Sequence, residues 1–297
     1  NVTQCYVLNG KKLVGEIISA DSMQIYKYMD IGTAKPTTEE KQGIPHHMMD
    51  FLEPDQRFTV VDFQEKALAL IKDIHGRKSI PIVIGGTGLY LHSLLYRLDF
   101  TEVEMDDTLR QKLETEAVEK GAEYMHQQLA KVDPGAAERI HPNNVKRVLR
   151  ALEVILNADE GVKDFSRPLE ENTDYNFRTF VLHENRQSLY HRINMRVDAM
   201  ISEGLEAEVN KLIHRGYDIN LPSMQGVGYK EMIRYISGEI GYEEAVEIIK
   251  RNSRRYAKRQ LTWFKKWPQA HWVLIDHEKP RDQEINRVVE MIFGALV

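Results

Sequence analysis

The sequence predicts an α/β protein, a parallel sheet flanked by helices and interrupted by an all-helical insertion. Two short runs, Glu16-Ile17-Ile18-Ser19 and Ile80-Pro81-Ile82-Val83-Ile84, carry β-branched residues and end in small or polar ones, the pattern of buried parallel strands. A helix-spaced stretch joins them, as a parallel crossover requires. Residues 101–172 carry helix signals but no strand signal, so the chain divides into a core of 1–100 with 173–297 and an insertion of 101–172.

The first fourteen residues are the least informative. Tyr6-Val7-Leu8 reads as a strand fragment and Asn9-Gly10 as a turn. Gly10-Lys11-Lys12 invites comparison with the phosphate loop GxxxxGK[ST], but Cys5 stands where the first Gly belongs and Lys12 where Ser or Thr belongs. No phosphate loop is read here.

The stretch Gly15–Lys35 organises the rest. Its strand breaks at Ala20-Asp21-Ser22, and in open α/β sheets ligands gather beyond the carboxyl ends of strands. Asp21 is therefore a candidate base; the competing reading is a turn-forming or capping aspartate. Thr37 to Gly43 reads as a polar helical turn and residues 45–50 as a short connection. The adjacent His46 and His47 cannot present both rings to one metal from a helix or strand. Phe63, Ala67, Leu70, Ile71 and Ile74 then give a helix over 59–75 with Gly76 as its stop.

The second strand runs into Gly85-Gly86-Thr87-Gly88. Glycines there let backbone N–H groups approach an anion, and a helix starting at the same point adds partial positive charge. Gly85, Gly86 and Thr87 are thus candidate phosphate or diphosphate contacts; the alternative is a tight turn with Thr87 as N-cap.

Within the insertion, helical patterns cover 106–120 and on to Val132 after Gly121, and Asp133-Pro134 signals another helix start. In the next pattern Val145, Val148, Leu149 and Leu152 form an apolar stripe, leaving Lys146, Arg147 and Arg150 for solvent or phosphates. Residues 159–176 read as a polar loop. Strand-like sequence returns at 177–182, one long helix follows over 188–214, and a glycine-containing loop, 221–228, enters a further helix. A helix over 242–267 holds Lys250, Arg251, Arg254, Arg255, Lys258, Arg259, Lys265 and Lys266 with no acidic residue from 250 to 266, and aromatics are interleaved. Spacings of three and four gather five of these cations on one broad face, which favours a polyanion partner. A last strand over 271–276 and a helix over 283–296 complete the chain.

Composition excludes several classes. At 297 residues the chain buries a substantial core in one large domain or two modest ones. A single cysteine, Cys5, leaves no internal disulfide framework and agrees with a reducing cytoplasm. No apolar run approaches the roughly 18 residues of a spanning helix, and the first residues carry no signal-peptide pattern. The net charge of −5 argues against a uniformly basic nucleic-acid binder while permitting a local basic face.

Taken together, GEIISADSMQIYKYMDIGTAK, IPHHMMDFLEP, PIVIGGTGLY, IHPNNVKRVLRALEV, GVGYKEM and RNSRRYAKRQLTWF resemble, in order from about Gly15 to Trp267, the bacterial tRNA dimethylallyltransferases, also called tRNA isopentenyl transferases. The resemblance implies a P-loop-type core with a helical insertion, and transfer of a dimethylallyl group from dimethylallyl diphosphate to N6 of adenosine 37 in tRNA. It implies that Asp21 is the general base, that Asp21, Ser22, Met23 and Gln24 meet the target nucleotide, and that Thr87 lies close to the reacting groups. Arg110, Lys146, Arg147, Arg150, Gln225, Arg254, Arg255, Lys258 and Arg259 are implied tRNA contacts. Mg²⁺ is the implied cofactor, and a cytoplasmic monomer the expected state.

The chemistry accounts for these parts. The N6 lone pair of adenine is delocalised into the ring, so a carboxylate within reach assists by taking its proton. Positive charge builds on the allylic carbon as diphosphate leaves, and donors or cations stabilise the departing oxygens. The adenine must also be unstacked, which requires a pocket and a basic platform.

One departure matters. The family places a GPTxxGKT-type loop upstream, its lysine about a dozen residues before the Gly-Glu-Ile-Ile block, whereas Lys11 precedes Gly15 by four. The sequence as given is expected to lack the principal diphosphate cradle. That opens an alternative, a tRNA-binding homologue without catalysis. A nucleotide kinase of the same broad core would need the same loop and leaves the basic helix unexplained.

Overall fold

The computed structural model describes residues 6–8, 11–97, 107–157, 170–277 and 279–294. Cys5, the Asn9-Gly10 turn and residues 159–169 of the expected polar loop lie outside them. The chain forms two compact units, 1–96 with 171–297, and 97–170.

In the first unit, β1 (Tyr6–Leu8) pairs antiparallel with β2 (Lys11–Leu13). Lys11 and Lys12 therefore belong to a strand. β3 (Gly15–Ser19) follows, and its short apolar sequence makes the centre of a parallel sheet. The elements after it are α1 (Thr38–Lys41), β4 (His46–His47), α2 (Val60–Gly76), β5 (Ile80–Ile84), α3 (Gly88–Leu95) and β6 (Tyr96–Arg97). The sheet order is β4-β3-β5, with Ile17 opposite His46 on one side and Ile82 on the other. α2 opens with a capping box between Thr59 and Asp62 and buries Phe63, Ala67, Ile71 and Ile74. These pack with Ile18, Ala20 and Tyr90 into one core.

β5 departs from expectation. Its run of apolar residues predicts burial throughout, yet Ile82 and Ile84 are 42% and 54% exposed. Side chains alternate between the two faces of a strand, and only the face carrying the partly buried Val83 packs against the core that α2 completes.

The second unit holds α4 (Asp107–Val132), α5 (Pro134–Arg139) and α6 (Val145–Asn157). α4 is two helical stretches joined at Gly121, whose φ of 83° is non-helical. The Asp133 side chain accepts from the Ala136 N–H at 2.8 Å and caps α5. Val148 and Leu152 of α6 meet Leu113, Met125 and Leu129 of α4 in a separate core. The chain then passes β7 (Glu170–Glu171), a two-residue strand inside the span expected to contain none.

Back in the first unit come β8 (Phe180–His183), α7 (Arg186–Glu203), α8 (Leu205–His214), α9 (Tyr229–Ile236), α10 (Tyr242–Phe264), β9 (His271–Leu274) and α11 (Arg281–Gly294). β8 and β9 pair in parallel. The single helix expected over 188–214 is two, because Gly204 takes φ 101° and caps α7 in the left-handed region.

A second core explains why the long segment after β3 is ordered without regular structure. Ile25, Tyr26 and Met29 pack with Val197, Leu205, Val209, Tyr229 and Ile249 from the helices. The Glu208 carboxylate accepts the backbone N–H groups of Asp30 (2.9 Å), Ile31 (2.8 Å) and Gly32 (3.1 Å), and the Tyr229 hydroxyl at 2.6 Å. A loop lacking ladder partners thus finds its acceptors in one buried side chain. Gly32 is required there, since a Cβ would lie 2.5 Å from the Tyr229 ring.

Candidate active site

The parallel strands β3 and β5 end side by side, with Ser19 opposite Ile84. Beyond them the chain makes two turns that lock together. The Ala20 carbonyl accepts from the Thr87 N–H at 3.1 Å, and the Ala20 N–H donates to the Ile84 carbonyl at 2.8 Å. Gly85 is glycine because a Cβ would meet the Ala20 carbonyl oxygen at 2.2 Å.

Asp21 satisfies both readings of its sequence. Its Oδ1 accepts from the N–H groups of Met23 (2.8 Å) and Gln24 (3.3 Å), an Asx-type turn. Its Oδ2 makes no hydrogen bond among the described residues, leaving one half-buried carboxylate oxygen for chemistry.

Thr87 occupies the N-cap position of α3 but does not cap it. Its Oγ1 instead accepts from the Ser22 N–H at 3.0 Å and lies 3.3 Å from the Ser22 hydroxyl. The Thr87 hydroxyl is thereby held next to the Asp21 turn. Gly86 and Gly88 owe their identity to α10. A Cβ on Gly86 would lie 1.9 Å from Gln260 Nε2, and one on Gly88 2.5 Å from the Trp263 ring. Gln260 Nε2 donates to the Gly86 carbonyl at 3.1 Å. The glycine pattern thus answers to packing against Ala20, Gln260 and Trp263.

The other candidates divide by unit. Gln24 spends its amide inside its own loop, donating to the carbonyls of Thr33 (3.2 Å) and Ala34 (3.4 Å) and accepting from the Ser19 hydroxyl at 3.1 Å. Met23 packs on Gly226, and exposed Gln225 donates to the Ile219 carbonyl at 2.7 Å. On α10, Arg251, Arg255, Lys258 and Arg259 are exposed, while Arg254 donates to Asn194 of α7 at 2.6 Å. Lys250 is not unopposed, because Asp198 of α7 holds it at 2.7 Å. The absence of acidic residues from 250 to 266 hid this partner on α7, and Glu247 of α10 lies 3.7 Å from the same lysine. In the second unit Arg110 pairs with Glu114 (3.1 Å) and Arg150 with Glu153 (2.9 Å), while Lys146 and Arg147 are exposed. The two histidines have structural partners: His46 Nδ1 meets the Ile44 carbonyl, and His47 Nε2 meets Glu16 at 2.8 Å.

Two functional candidates escaped the sequence reading. Arg196 of α7 is exposed by area, yet desolvation by surrounding protein lowers its pKa while the Asp21 charge opposes that shift. Both facts mark Arg196 as a cation within electrostatic reach of Asp21. Tyr256 of α10 has the same character: desolvation, then the Asp21 charge, raise its pKa, while Thr87 and Gln260 lower it. A lone Arg in a helix of mixed polarity gives no sequence signal, whereas Tyr256 was visible as an aromatic among cations.

The parts make a candidate group-transfer site at the carboxyl edge of an α/β core, with a free carboxylate oxygen, a fixed hydroxyl and a basic helix. The IPP transferase family profile matches residues 24–267. The chain is 53% identical to a tRNA dimethylallyltransferase of Alkaliphilus oremlandii over 91% of its length and 86% of that protein. It is similar to the solved tRNA isopentenylpyrophosphate transferase of Bacillus halodurans, with a TM-score of 0.68, 43% identity, and coverage of 94% of this chain and 88% of that one. It is also similar to a eukaryotic dimethylallyltransferase solved acting on tRNA, with a TM-score of 0.73, 26% identity, and coverage of 93% and 71%. The chain belongs to the IPP transferase family.

Proposed function

We propose that this protein is a tRNA dimethylallyltransferase, moving the dimethylallyl group of dimethylallyl diphosphate to N6 of adenosine 37. The observation that carries the reading is the divided Asp21 carboxylate, one oxygen capping its own turn and the other unengaged beside the Thr87 hydroxyl. Asp21 Oδ2 takes the N6 proton as the new C–N bond forms. Thr87 and Arg196 stand near enough to Asp21 to serve the diphosphate side, donating to oxygens that gain charge as the C–O bond breaks. The exposed cations of α10 hold the RNA backbone.

No group of three or more His, Cys, Asp or Glu gathers to hold a metal among the described residues. Mg²⁺ bound to the diphosphate would supply further charge stabilisation. Such an ion keeps most of its waters and takes few protein ligands, and the hard oxygens of Ser22 and Thr87 suit it.

The test is incubation with unmodified tRNA, dimethylallyl diphosphate and Mg²⁺, with mass spectrometry of the nucleosides. Prenylated adenosine that vanishes in Asp21→Ala supports the reading. Salt-dependent tRNA binding without product would instead establish a binding homologue.

A further inference from the structure

We propose that Gln260 is a positioning residue for this transfer, holding the peptide unit that carries Thr87 and linking it to RNA bound on α10; the inference rests on the reading of the site given above. Residues 260 and 263 share one side of α10, and that side is seated on the glycine turn. Gln260 Nε2 donates to the Gly86 carbonyl at 3.1 Å, and Trp263 fills the space over Gly88. Just past the helix, Trp267 Nε1 donates to His92 Nδ1 at 3.1 Å, which ties the helix end to α3. At 3.6 residues per turn, Arg251, Arg255 and Lys258 fall on the opposite side of α10, where they are exposed. One side of the helix thus meets the turn, and the other offers cations to phosphates.

The Gly86 carbonyl and the Thr87 N–H belong to one planar peptide unit. Gln260 holds its carbonyl end, and the Ala20 carbonyl accepts its N–H at 3.1 Å. Glycine at 85 and 86 brings no Cβ that would restrict this unit from its N-terminal side, so the two hydrogen bonds set its orientation. That orientation directs the Thr87 side chain, whose Oγ1 meets the Ser22 N–H at 3.0 Å beside the Asp21 turn. Without the Gln260 donor only the Ala20 bond remains, and the unit gains room to rotate, taking the hydroxyl with it. RNA on the outward cations steadies α10, and Gln260 passes that restraint to the turn.

Gln260→Met keeps the length of the side chain and removes the donor. The experiment measures kcat, both KM values, tRNA Kd and Tm for wild type and Gln260→Met, together with amide exchange over residues 84–91 with and without unmodified tRNA. The expected result is a kcat about 10-fold lower in Gln260→Met, with tRNA Kd within about 2-fold of wild type and Tm lower by no more than about 4 °C. Unmodified tRNA is expected to slow exchange in the turn about 10-fold in wild type and less than about 3-fold in the variant. An unaltered kcat, a loss confined to KM, Kd or Tm, or equal protection by tRNA in both proteins would overturn the proposal. Wild-type protein that binds tRNA yet transfers no prenyl group overturns the site reading itself, and the role of Gln260 falls with it.

Discussion

The Ser22 backbone N–H donates to Thr87 Oγ1 across 3.0 Å, joining the turn after β3 to the turn before α3 although 65 residues separate them. This bond draws the only hydroxyl at the glycine turn away from capping its own helix and fixes it beside the Asp21 carboxylate. The proposed sites of proton removal and leaving-group departure are thus held in one frame.

Asp21→Asn separates the two duties of that residue. The amide oxygen still accepts from the Met23 and Gln24 N–H groups, so stability is expected to stay within about 1 kcal/mol of wild type. Loss of the base is expected to lower kcat by ~10²–10⁴-fold. Urea denaturation alongside single-turnover transfer checks both; a variant that unfolds early and retains transfer would mean that Asp21 is a capping residue only.

The two glycines of the turn differ in tolerance. A methyl at Gly85 collides with the Ala20 backbone, which cannot move without breaking the strand-end bonds, so Gly85→Ala is expected to cost about 3 kcal/mol or more. At Gly86 the obstacle is the end of the Gln260 side chain. Gly86→Ala is expected to cost less, and adding Gln260→Ala should recover most of the loss. Equal costs at both sites would contradict the packing account.

His92 makes the contact between α3 and Trp267, just beyond α10, sensitive to pH. Its buried Nδ1 accepts from Trp267 Nε1 at 3.1 Å, an arrangement that requires a neutral ring. Burial first, then the Lys266 charge, lower its pKa from the ordinary 6.5. The folded protein therefore binds the proton less readily than the unfolded chain. The contribution is complete above about pH 6.5 and is lost as pH falls through the folded pKa. Urea midpoints at about pH 7.5 and 5.5 should fall further in wild type than in His92→Gln. Parallel losses would assign the effect to other groups.

The α10 cations should differ in their share of RNA binding. Arg255 and Lys258 are exposed with no partner among the described residues, whereas Lys250 is held by Asp198. Neutralising Arg255 or Lys258 is expected to lower the slope of log K against log salt by up to ~1 each, and Lys250→Gln to leave it nearly unchanged. Filter binding of unmodified tRNA over a salt series decides this.

Most of the fold was legible because strand and helix periodicities are local. Ile80–Ile84 is a strand with the bounds its sequence predicts, and the Thr59 and Asp133 caps start helices where short polar side chains can take N–H groups. Gly204 was missed as a helix break because glycine's left-handed φ is one option among several until the flanking helices pack. The burial of Ile82 and Ile84 was overstated because a strand's sequence does not say whether both faces are covered.

The sequence by itself determined the α/β class, the order of blocks that marks the family, and the placing of Asp21 and Thr87 at strand ends. Only the tertiary structure decided that Asp21 keeps one oxygen unengaged, that Thr87 turns from its helix to Ser22, and that Gln260 and Trp263 of α10 seat on the glycine turn. Those outcomes depend on which hydrogen-bond partners come within about 3 Å from distant parts of the chain. Local patterning leaves that choice open, and packing of α10 on the strand-end turns makes it.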